Sequence, residues 1–258
     1  MLLAVDVGNS NINFGVFQEK RLLFVSNLAT ETNRTAVQYA LEFKAGFELQ
    51  GISPAVIDGA VISSVVPELT DTMKKAIRLF CDVQAIVLGP GVKNGLNIKT
   101  DNPAQLGADL VAGAVGALAK YPMPCLVLDL GTATKISVLD VRGAYLGCTI
   151  SAGVKISLSA LSGKTAQLPM VDLSVEECPA YGTNTVHSMQ AGILLGTASM
   201  LDGLCDRIEQ SLGKKAASVV ATGGLAGFIV RHCRRDVIYD PTLIMEGLRV
   251  IYEKNGQQ

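Results

Sequence analysis

The chain carries one short pattern twice, and this repeat limits its fold more than any other feature. In each copy an apolar run ends in an aspartate and a glycine-containing turn follows, as Asp6-Val-Gly-Asn-Ser and Asp129-Leu-Gly-Thr-Ala. Patterns typical of strands lie at 2–7, 12–17 and 21–26 and again at 125–130, 136–139 and 144–150. The aspartates are 123 residues apart, and we expect this offset to hold throughout the repeat. A single duplication at such a spacing predicts two similar domains.

Helical segments are predicted between and after the two copies. The patterns favour helices near 35–46, 68–81, 103–120 and 186–213. The third begins with a proline, which suits the first turn of a helix. A three-stranded meander followed by further strands and helices resembles the ribonuclease-H-like unit of actin-like ATPases. The predicted fold class is therefore α/β, with two duplicated ribonuclease-H-like domains at 1–115 and 116–258 and a nucleotide cleft between them.

Composition excludes several classes of protein. The net charge is −1, Trp is absent and aromatic residues make up 5%, so neither a basic surface for nucleic acid nor a base-stacking platform is expected. The six cysteines form no C-x-x-C pair and only two histidines occur, which argues against a zinc site. Cys125 lies in an apolar run and is predicted to be a buried thiol. With no signal-peptide pattern and no long uncharged apolar run, we expect a cytoplasmic protein.

The first hairpin has residues suited to phosphate binding. Gly8 lets the backbone approach an anion, and Asn9 and Ser10 add donors. A carboxylate would repel phosphate unless a cation lies between them, so Asp6 indicates a hydrated Mg²⁺. A plain β-hairpin with a glycine turn accounts for the same residues. The second acidic hairpin, at Asp129, favours phosphate binding, because two opposed hairpins could enclose a phosphate chain.

A third candidate element is the apolar run 218–222 followed by Gly223-Gly224. A strand running into such a turn and a helix offers a flat backbone surface for a nucleotide base or ribose. An ordinary strand-to-helix turn would have the same sequence. Its position after two acidic hairpins favours an adenosine site.

Asp109 is a candidate general base. It lies in an otherwise uncharged helical stretch of Ala, Gly, Leu and Val, where a carboxylate needs either a binding partner or a functional role. It could accept the proton of a substrate hydroxyl that attacks the γ-phosphate. Alternatively, it is an acid that interacts with the helix dipole.

These residues belong to a longer series of motifs through which the chain resembles the type III pantothenate kinases almost from end to end. The motifs are Asp6-Val-Gly-Asn-Ser-Asn, Gly89-Pro-Gly-Val-Lys-Asn-Gly-Leu-Asn-Ile-Lys, Asp101-Asn-Pro, Gly107-Ala-Asp, Asp129-Leu-Gly-Thr-Ala-Thr, Thr165-Ala-Gln-Leu-Pro, Gly182-Thr-Asn-Thr, Gln190-Ala-Gly-Ile, Ala221-Thr-Gly-Gly-Leu-Ala and Glu246-Gly-Leu. The resemblance implies a homodimeric, ATP-dependent kinase that phosphorylates the 4′-hydroxyl of pantothenate, the first step of coenzyme A synthesis. It also implies Mg²⁺ and a monovalent cation, K⁺ or NH₄⁺.

The resemblance also implies a role for individual residues. Asp109 would be the base, and Asp129 would bind the monovalent cation. Thr185 would reach pantothenate from the partner subunit. The residues that would bind ATP or its phosphates are Asp6, Gly8, Asn9, Ser10, Asn11, Asn13 and Thr132. The residues at substrate-binding positions are Thr100, Gly107, Ala108, Asp109, Leu110 and Thr185.

Several site positions depart from the usual family pattern. Leu110 replaces an arginine that grips the pantothenate carboxylate, and Thr100 replaces a tyrosine that lines the substrate. Lys135-Ile-Ser replaces Thr-Phe-Asp, and Ala152 replaces a proline. Two alternatives therefore stay open: a kinase with an altered substrate, and a nucleotide-binding regulatory paralogue without turnover. The retained Asp109 favours an enzyme.

Lys135 is a cation gained near the second hairpin. Its ammonium could approach Asp129 or nearby phosphates and replace the monovalent cation with a tethered one. It could instead meet a substrate carboxylate in place of the arginine missing at Leu110, or point to solvent from its strand. We favour the tethered cation, because the departure lies in the hairpin that carries Asp129.

Overall fold

A computed structural model describes residues 1–175 and 177–256 and divides the chain into two compact units. Unit 1 comprises Met1–Leu96, Asp101–Ala119 and Thr242–Gln258, and unit 2 comprises Asn97–Thr100 and Lys120–Pro241. The predicted domains, 1–115 and 116–258, differ from these units mainly at the C-terminus. There the last helix packs on the sheet of unit 1.

The strands and helices are numbered in chain order. They are β1 Leu2–Val7, β2 Asn11–Gln18, β3 Arg21–Ala29, α1 Ala36–Leu49, β4 Gly59–Ser64, α2 Pro67–Cys81, β5 Ala85–Val87, α3 Ala108–Lys120, β6 Cys125–Leu130, β7 Ala133–Leu139, β8 Tyr145–Ala152, α4 Val154–Lys164, α5 Thr185–Leu212, β9 Ser218–Thr222, α6 Ala226–Ile229, β10 Ile238–Tyr239 and α7 Leu243–Asn255. Short 3₁₀ turns lie at Pro54–Val56, Pro103–Gln105 and Val230–His232.

Each unit contains a five-stranded mixed sheet with the same topology. The orders are β3-β2-β1-β4-β5 and β8-β7-β6-β9-β10. In both, an antiparallel meander is extended by two parallel strands. In both meanders the pairing of the second strand with the third shifts register at a matching place, after Val16 in β2 and after Val138 in β7. The duplication predicted from the sequence is therefore present in the fold.

The expectation of a constant offset within the repeat is wrong in the second strand of each meander. Three residues, Gly8–Ser10, separate β1 from β2, whereas only Gly131 and Thr132 separate β6 from β7. Loop length fixes the register of a hairpin, so Asp6 lies opposite Asn13 and Asp129 lies opposite Lys135. Lys135 is therefore the structural counterpart of Asn13, although the offset of 123 would have assigned that place to Ile136.

The sheet of unit 1 is covered on both faces. One face packs against α1 and α2 around Phe14, whose ring meets that of Phe43 edge to face at 5.1 Å. The other face packs against α7, where Arg249 lies over the Phe17 ring at 5.9 Å. Glycines let α3 cross α7 closely, since a Cβ at Gly247 would collide with the carbonyl oxygen of Ala112.

The predicted helix over 103–120 is wrong in its first part. Pro103 begins a 3₁₀ turn, not the helix, and Leu106 is extended with φ −68° and ψ 124°. The α-helix begins at Ala108. A proline suits the first turn of a 3₁₀ segment as well as that of an α-helix, so the proline alone did not fix the start.

The core of unit 2 lies on the face of its sheet that carries Leu126, Leu128 and Leu130 and packs against α4 and α5. Cys125 is fully buried, and burial raises the pKa of its thiol to about 11. The predicted buried thiol is therefore confirmed. Within the described part of the chain, none of the helices is both long and apolar enough to cross a membrane.

Candidate functional site

The two acidic residues of the repeat lie at equivalent edges of the two sheets. Asp6 is next to last in β1, with Ser63 beside it on the parallel strand β4. Asp129 is next to last in β6, with Thr222 beside it on the parallel strand β9. Ligands of α/β proteins bind outside the carboxyl ends of parallel strands. The sequence identified both aspartates, but only the strand pairing shows that Ser63 and Thr222 lie beside them.

The turn of the first hairpin is held by hydrogen bonds while its side chains stay exposed. The Gly8 amide donates to the Asn11 carbonyl at 3.0 Å, and a Cβ at Gly8 would touch that same oxygen at 3.0 Å. Thr30, which the sequence analysis missed, donates from Oγ1 to the Gly8 carbonyl at 2.7 Å and from its amide to Ser10 at 3.1 Å. Asn9, Ser10 and Asn11 are exposed, whereas Asp6 is buried. The turn therefore offers ordered polar groups to a ligand.

The second hairpin has a shorter turn and a helix packed against it. The Gly131 amide donates to the Ala133 carbonyl at 3.2 Å, which closes the turn. Gly153, just before α4, lies so close that a Cβ there would collide with the carbonyl oxygen of Thr132 and approach that of Gly131 at 2.6 Å. The missing side chain of Gly153 thus allows α4 to begin directly beside this turn.

Lys135 and Asp129 form an ion pair in the second hairpin. Nζ of Lys135 lies 2.8 Å from Oδ2 of Asp129, and only 15% of the lysine side chain is exposed. The alternative that Lys135 points to solvent is therefore wrong, and its predicted approach to Asp129 is confirmed.

The Gly223-Gly224 turn lies against the end of β6. Gly223 has a φ of +98°, which favours glycine, and a Cβ there would lie 2.6 Å from the Leu130 carbonyl oxygen. Gly224 is exposed. The predicted order of strand, turn and helix is confirmed, although α6 is only four residues long. The turn therefore leaves accessible backbone next to the second hairpin.

Asp109 is the second residue of α3 and lies in its first turn. Its Oδ1 accepts a hydrogen bond from the Leu110 amide at 2.7 Å, and a Cβ at Gly107 would lie 2.6 Å from the same oxygen. That Cβ would also touch the Val65 side chain at 3.7 Å, and the Val65 amide binds the carbonyl of Val7 at 3.0 Å. The start of α3 therefore adjoins the edge of unit 1 that carries Asp6.

Among the predicted substrate positions, Leu110 and Thr100 are shielded to different degrees. Leu110 is buried, with 9% of its surface exposed, whereas Thr100 is half-buried. Thr100 belongs to unit 2, where the segment 97–100 pairs with Tyr145. Its Oγ1 is buried and has no hydrogen-bond partner in the described part of the chain. A buried hydroxyl without a partner calls for an explanation such as a ligand.

Thr185 lies at the beginning of α5 and is exposed. The helix is capped by Asn184, whose side chain accepts a hydrogen bond from the His187 amide at 2.9 Å. Thr185 borders a groove of about 740 Å³ between α4 and the start of α5, with Leu161 on its other side. The structure therefore presents Thr185 on the surface of its own chain.

Sequence reasoning missed a charged cavity of about 590 Å³ on unit 2. Arg235 there contacts carboxylates of Asp206 at 2.6 Å and Glu209 at 3.3 Å, and Lys215 contacts Glu209 at 2.8 Å. Burial raises the pKa of Glu209, but hydrogen bonds from Lys215, the Ala216 amide and Arg235 outweigh it and hold that pKa below its usual value. These ion pairs explain the charged cluster as a structural feature of unit 2.

The described residues contain no group of three or more His, Cys, Asp or Glu side chains that could hold a metal ion by themselves.

Comparison of the chain with known proteins gives full-length relatives. The family model for type III pantothenate kinase matches residues 2–207. The chain is 40% identical to a type III pantothenate kinase of Exiguobacterium sibiricum over 255 residues, 99% of this chain and 100% of that protein. It is 41% identical to the protein of the same name from Myxococcus xanthus, over 99% of both chains.

Solved structures show the same fold at low sequence identity. A Campylobacter jejuni protein described as a Baf family transcriptional activator superposes with a TM-score of 0.64 at 21% identity, over 99% of this chain and 100% of that one. The activator of 2-hydroxyisocaproyl-CoA dehydratase from Clostridium difficile, solved with bound ADPNP, superposes with a TM-score of 0.60 at 14% identity, over 100% and 97%. The actin-like ATPase fold predicted from the sequence is confirmed.

The similarity in sequence covers both halves of the duplication, including each acidic hairpin and the start of α3, and the chain therefore belongs to the type III pantothenate kinase family.

Proposed function

We propose that this protein transfers the γ-phosphate of ATP to the 4′-hydroxyl of pantothenate, the first step of coenzyme A synthesis. The observation that carries the proposal is the full-length similarity, at 40% and 41% identity, to proteins named as type III pantothenate kinases. The two acidic hairpins at the carboxyl edges of matching sheets support it.

The residues proposed to bind ATP lie in the turn of each hairpin. In unit 1 the amide and hydroxyl groups of Asn9, Ser10 and Asn11 are exposed and can donate to phosphate oxygens, and Asp6, Gly8 and Asn13 complete that hairpin. In unit 2 the turn Gly131–Thr132 has the same role, and the half-buried Gly223 and the exposed Gly224 offer backbone to the adenosine. Backbone amides at glycine turns are common phosphate ligands.

Mg²⁺ fits the first hairpin. It is usually bound by one or two carboxylates together with phosphate oxygens and water, so a single protein carboxylate is sufficient. Asp6 supplies that carboxylate, and an uncharged Asn13 lies opposite it. When bound with ATP, the ion would neutralise charge on the phosphates.

The monovalent cation that the family resemblance implies at Asp129 does not fit the residues present. Lys135 already places an ammonium 2.8 Å from the Asp129 carboxylate.

Asp109 has the role of general base. As the pantothenate 4′-oxygen bonds to the γ-phosphorus and the bond to the β-phosphate oxygen breaks, the hydroxyl proton passes to the Asp109 carboxylate. The hydrogen bond from the Leu110 amide to Oδ1 fixes the orientation of that carboxylate. Gly107 leaves the space in which it folds back over the helix start.

We propose that Thr100 and Thr185 contact the substrate, and that Thr185 does so from the partner subunit of a homodimer. The buried Thr100 hydroxyl, without a partner in the described residues, supports a contact with substrate. The exposed position of Thr185 beside a surface groove supports a contact across subunits.

The function is tested by measuring ADP release by the purified protein with and without pantothenate, and by identifying 4′-phosphopantothenate by mass spectrometry. ADP release that requires pantothenate, with this product, is expected. ATP binding without turnover on any alcohol would identify a regulatory nucleotide-binding protein instead.

A kinase with an altered substrate is favoured by one observation, the buried Leu110 where the family has arginine. Pantothenol carries a neutral hydroxymethyl group in place of the carboxylate. If Leu110 has removed carboxylate recognition, kcat/KM for pantothenol should match or exceed that for pantothenate. A strong preference for pantothenate would show that other groups recognise the carboxylate.

The assignment of the base predicts the effect of Asp109→Asn. The variant keeps the shape of the side chain but cannot accept the proton, so kcat should fall roughly a hundred- to ten-thousandfold while ATP affinity stays nearly unchanged. Steady-state kinetics and calorimetric ATP titration measure the two effects. Asp71→Asn, at an exposed helical aspartate paired with Lys74, is the matched control. An unchanged kcat in Asp109→Asn would remove this residue from the chemistry.

A further inference from the structure

The second hairpin holds an acid and a base on directly opposite positions of neighbouring strands. Asp129 on β6 is in register with Lys135 on β7, and Nζ lies 2.8 Å from Oδ2. This is the length of a charge-assisted hydrogen bond. Only 15% of the lysine side chain and 13% of the aspartate side chain are exposed, so dissolved salt screens the pair weakly. The ammonium is therefore held firmly at the carboxylate.

The first hairpin differs at the matching position. Asp6 lies opposite Asn13, an uncharged amide. The cause of the different register is the turn, which is one residue shorter in the second hairpin. The two acidic hairpins of the duplicated fold thus differ in charge, because one aspartate faces an amide and the other an ammonium.

We propose that Lys135 is a built-in monovalent cation. Its ammonium takes the place of dissolved K⁺ or NH₄⁺ at Asp129 and presents a positive charge to the nucleotide phosphates at the turn Gly131–Thr132. The proposal rests on the proposed function, since it requires phosphates at this turn. An ammonium carries the same charge as K⁺ and has three donors, which can serve a carboxylate and a phosphate oxygen together.

A tethered cation has a consequence that can be measured. Its presence at Asp129 does not depend on the salt, so the affinity for ATP should be equal in potassium and in tetramethylammonium chloride at constant ionic strength. Tetramethylammonium has no N–H donor and is too bulky to replace a small cation beside a shielded carboxylate. A site that needed a dissolved cation would lose affinity in that salt.

The experiment is calorimetric titration of the purified full-length protein with ATP and Mg²⁺ in each salt. The unmodified protein should change its affinity by less than about threefold between the salts. Lys135→Thr should bind ATP about ten- to a hundredfold more weakly in tetramethylammonium, and potassium should restore most of that affinity. Lys215→Thr is the matched control, because Lys215 also lies 2.8 Å from a carboxylate, that of Glu209, in the same unit. It should behave as the unmodified protein.

Thermal unfolding without nucleotide gives a second measurement. Lys135→Thr leaves the shielded Asp129 carboxylate without its ammonium, so potassium should raise the Tm of this variant more than tetramethylammonium does. The unmodified protein and Lys215→Thr should melt alike in both salts.

Several results would overturn the inference. ATP affinity of the unmodified protein that depends strongly on potassium would do so without any variant, even if Lys135→Thr fails to fold. A Lys135→Thr variant with unchanged ATP affinity and a raised KM for pantothenate would assign Lys135 to the substrate carboxylate instead. Absence of ATP binding in every salt would overturn the proposed function, and the inference with it, whereas ATP binding lost only in tetramethylammonium would overturn the inference alone.

Discussion

At the scale of single residues, the sequence identified the charged residues of the candidate site more reliably than the residues that contact them. Asp6 and Asp129 were predicted at strand ends, and both lie there. An apolar run marks a buried strand, so the acidic residue that ends the run marks the end of the strand. The contact between Lys135 and Asp129 was one of three alternatives. Strand alternation gives the face of a side chain, but cross-strand pairing depends on the length of the turn. The sequence could not decide between the alternatives until the two-residue turn was known.

Gly107 provides a test of how precisely the Asp109 carboxylate must be placed. In Gly107→Ala the new Cβ would lie 2.6 Å from Oδ1, so the carboxylate must move. The kcat should fall about ten- to a hundredfold because proton transfer needs a defined geometry, while the Tm changes little. Steady-state kinetics and thermal unfolding measure these effects.

The control for this change is Gly113→Ala in α3, the helix that Gly107 precedes, where a Cβ would meet only Ile244 at 3.9 Å. It should leave kcat unchanged. Equal kinetics for both variants would mean that the placement of Asp109 by Gly107 is unimportant.

At the scale of elements, local patterns located the meanders and the covering helices α1, α2 and α5, but not α4 and α7. The pattern at 186–213 predicted α5 within one residue at each end. By contrast, α4 and α7 were not predicted. The position of α7 on the sheet of unit 1 could not be read from the chain order, because it is fixed by packing against α3 and β1 across more than a hundred residues. The α3 start was misplaced because a proline suits two kinds of helical turn.

The junction of α4 with the second hairpin predicts a distinct phenotype for Gly153→Ala. The φ of Gly153 is −71°, which alanine also adopts, so only space decides. The new Cβ would collide with the Thr132 carbonyl and displace the turn Gly131–Thr132. ATP affinity should fall about tenfold, measured by calorimetric titration, since this change corresponds to about 1.4 kcal/mol of lost contact.

Gly163→Ala, inside α4, is the control, because a Cβ at that position has no neighbour within 4 Å. It should bind ATP normally and be slightly more stable, as alanine favours a helix over glycine. Normal ATP affinity in Gly153→Ala would argue against phosphate binding at this turn.

At the scale of the whole molecule, the duplication could be predicted but the differences between its halves could not. The two sheets have the same order and the same register shift, which follow from the repeated pattern. Their acidic edges differ by one turn residue and one charge.

The assembly of subunits depends on which side chains are exposed at the surface. Local sequence patterns do not show which apolar residues remain exposed in the fold. In unit 2 the exposed apolar side chains include a series close together in the chain, namely Ile150, Ile156, Leu161, Met170, Tyr181 and Val186. Exposed apolar side chains that form a contiguous patch favour a protein interface, and we expect one in this part of the chain.

If this surface forms the proposed homodimer and Thr185 serves the site of its partner, two inactive variants should complement each other. Asp109→Asn removes the base, and Thr185→Gln fills the space beside the substrate, so each variant alone should have little activity. In a mixed dimer, one site combines the intact Asp109 of one subunit with the intact Thr185 of the other. Random exchange of subunits should therefore restore about a quarter of the normal activity, since half of the dimers are mixed and each has one intact site of two. Light scattering should give twice the mass of the chain. A monomer, or a mixture that stays inactive after the subunits have exchanged, would show that Thr185 does not act across subunits.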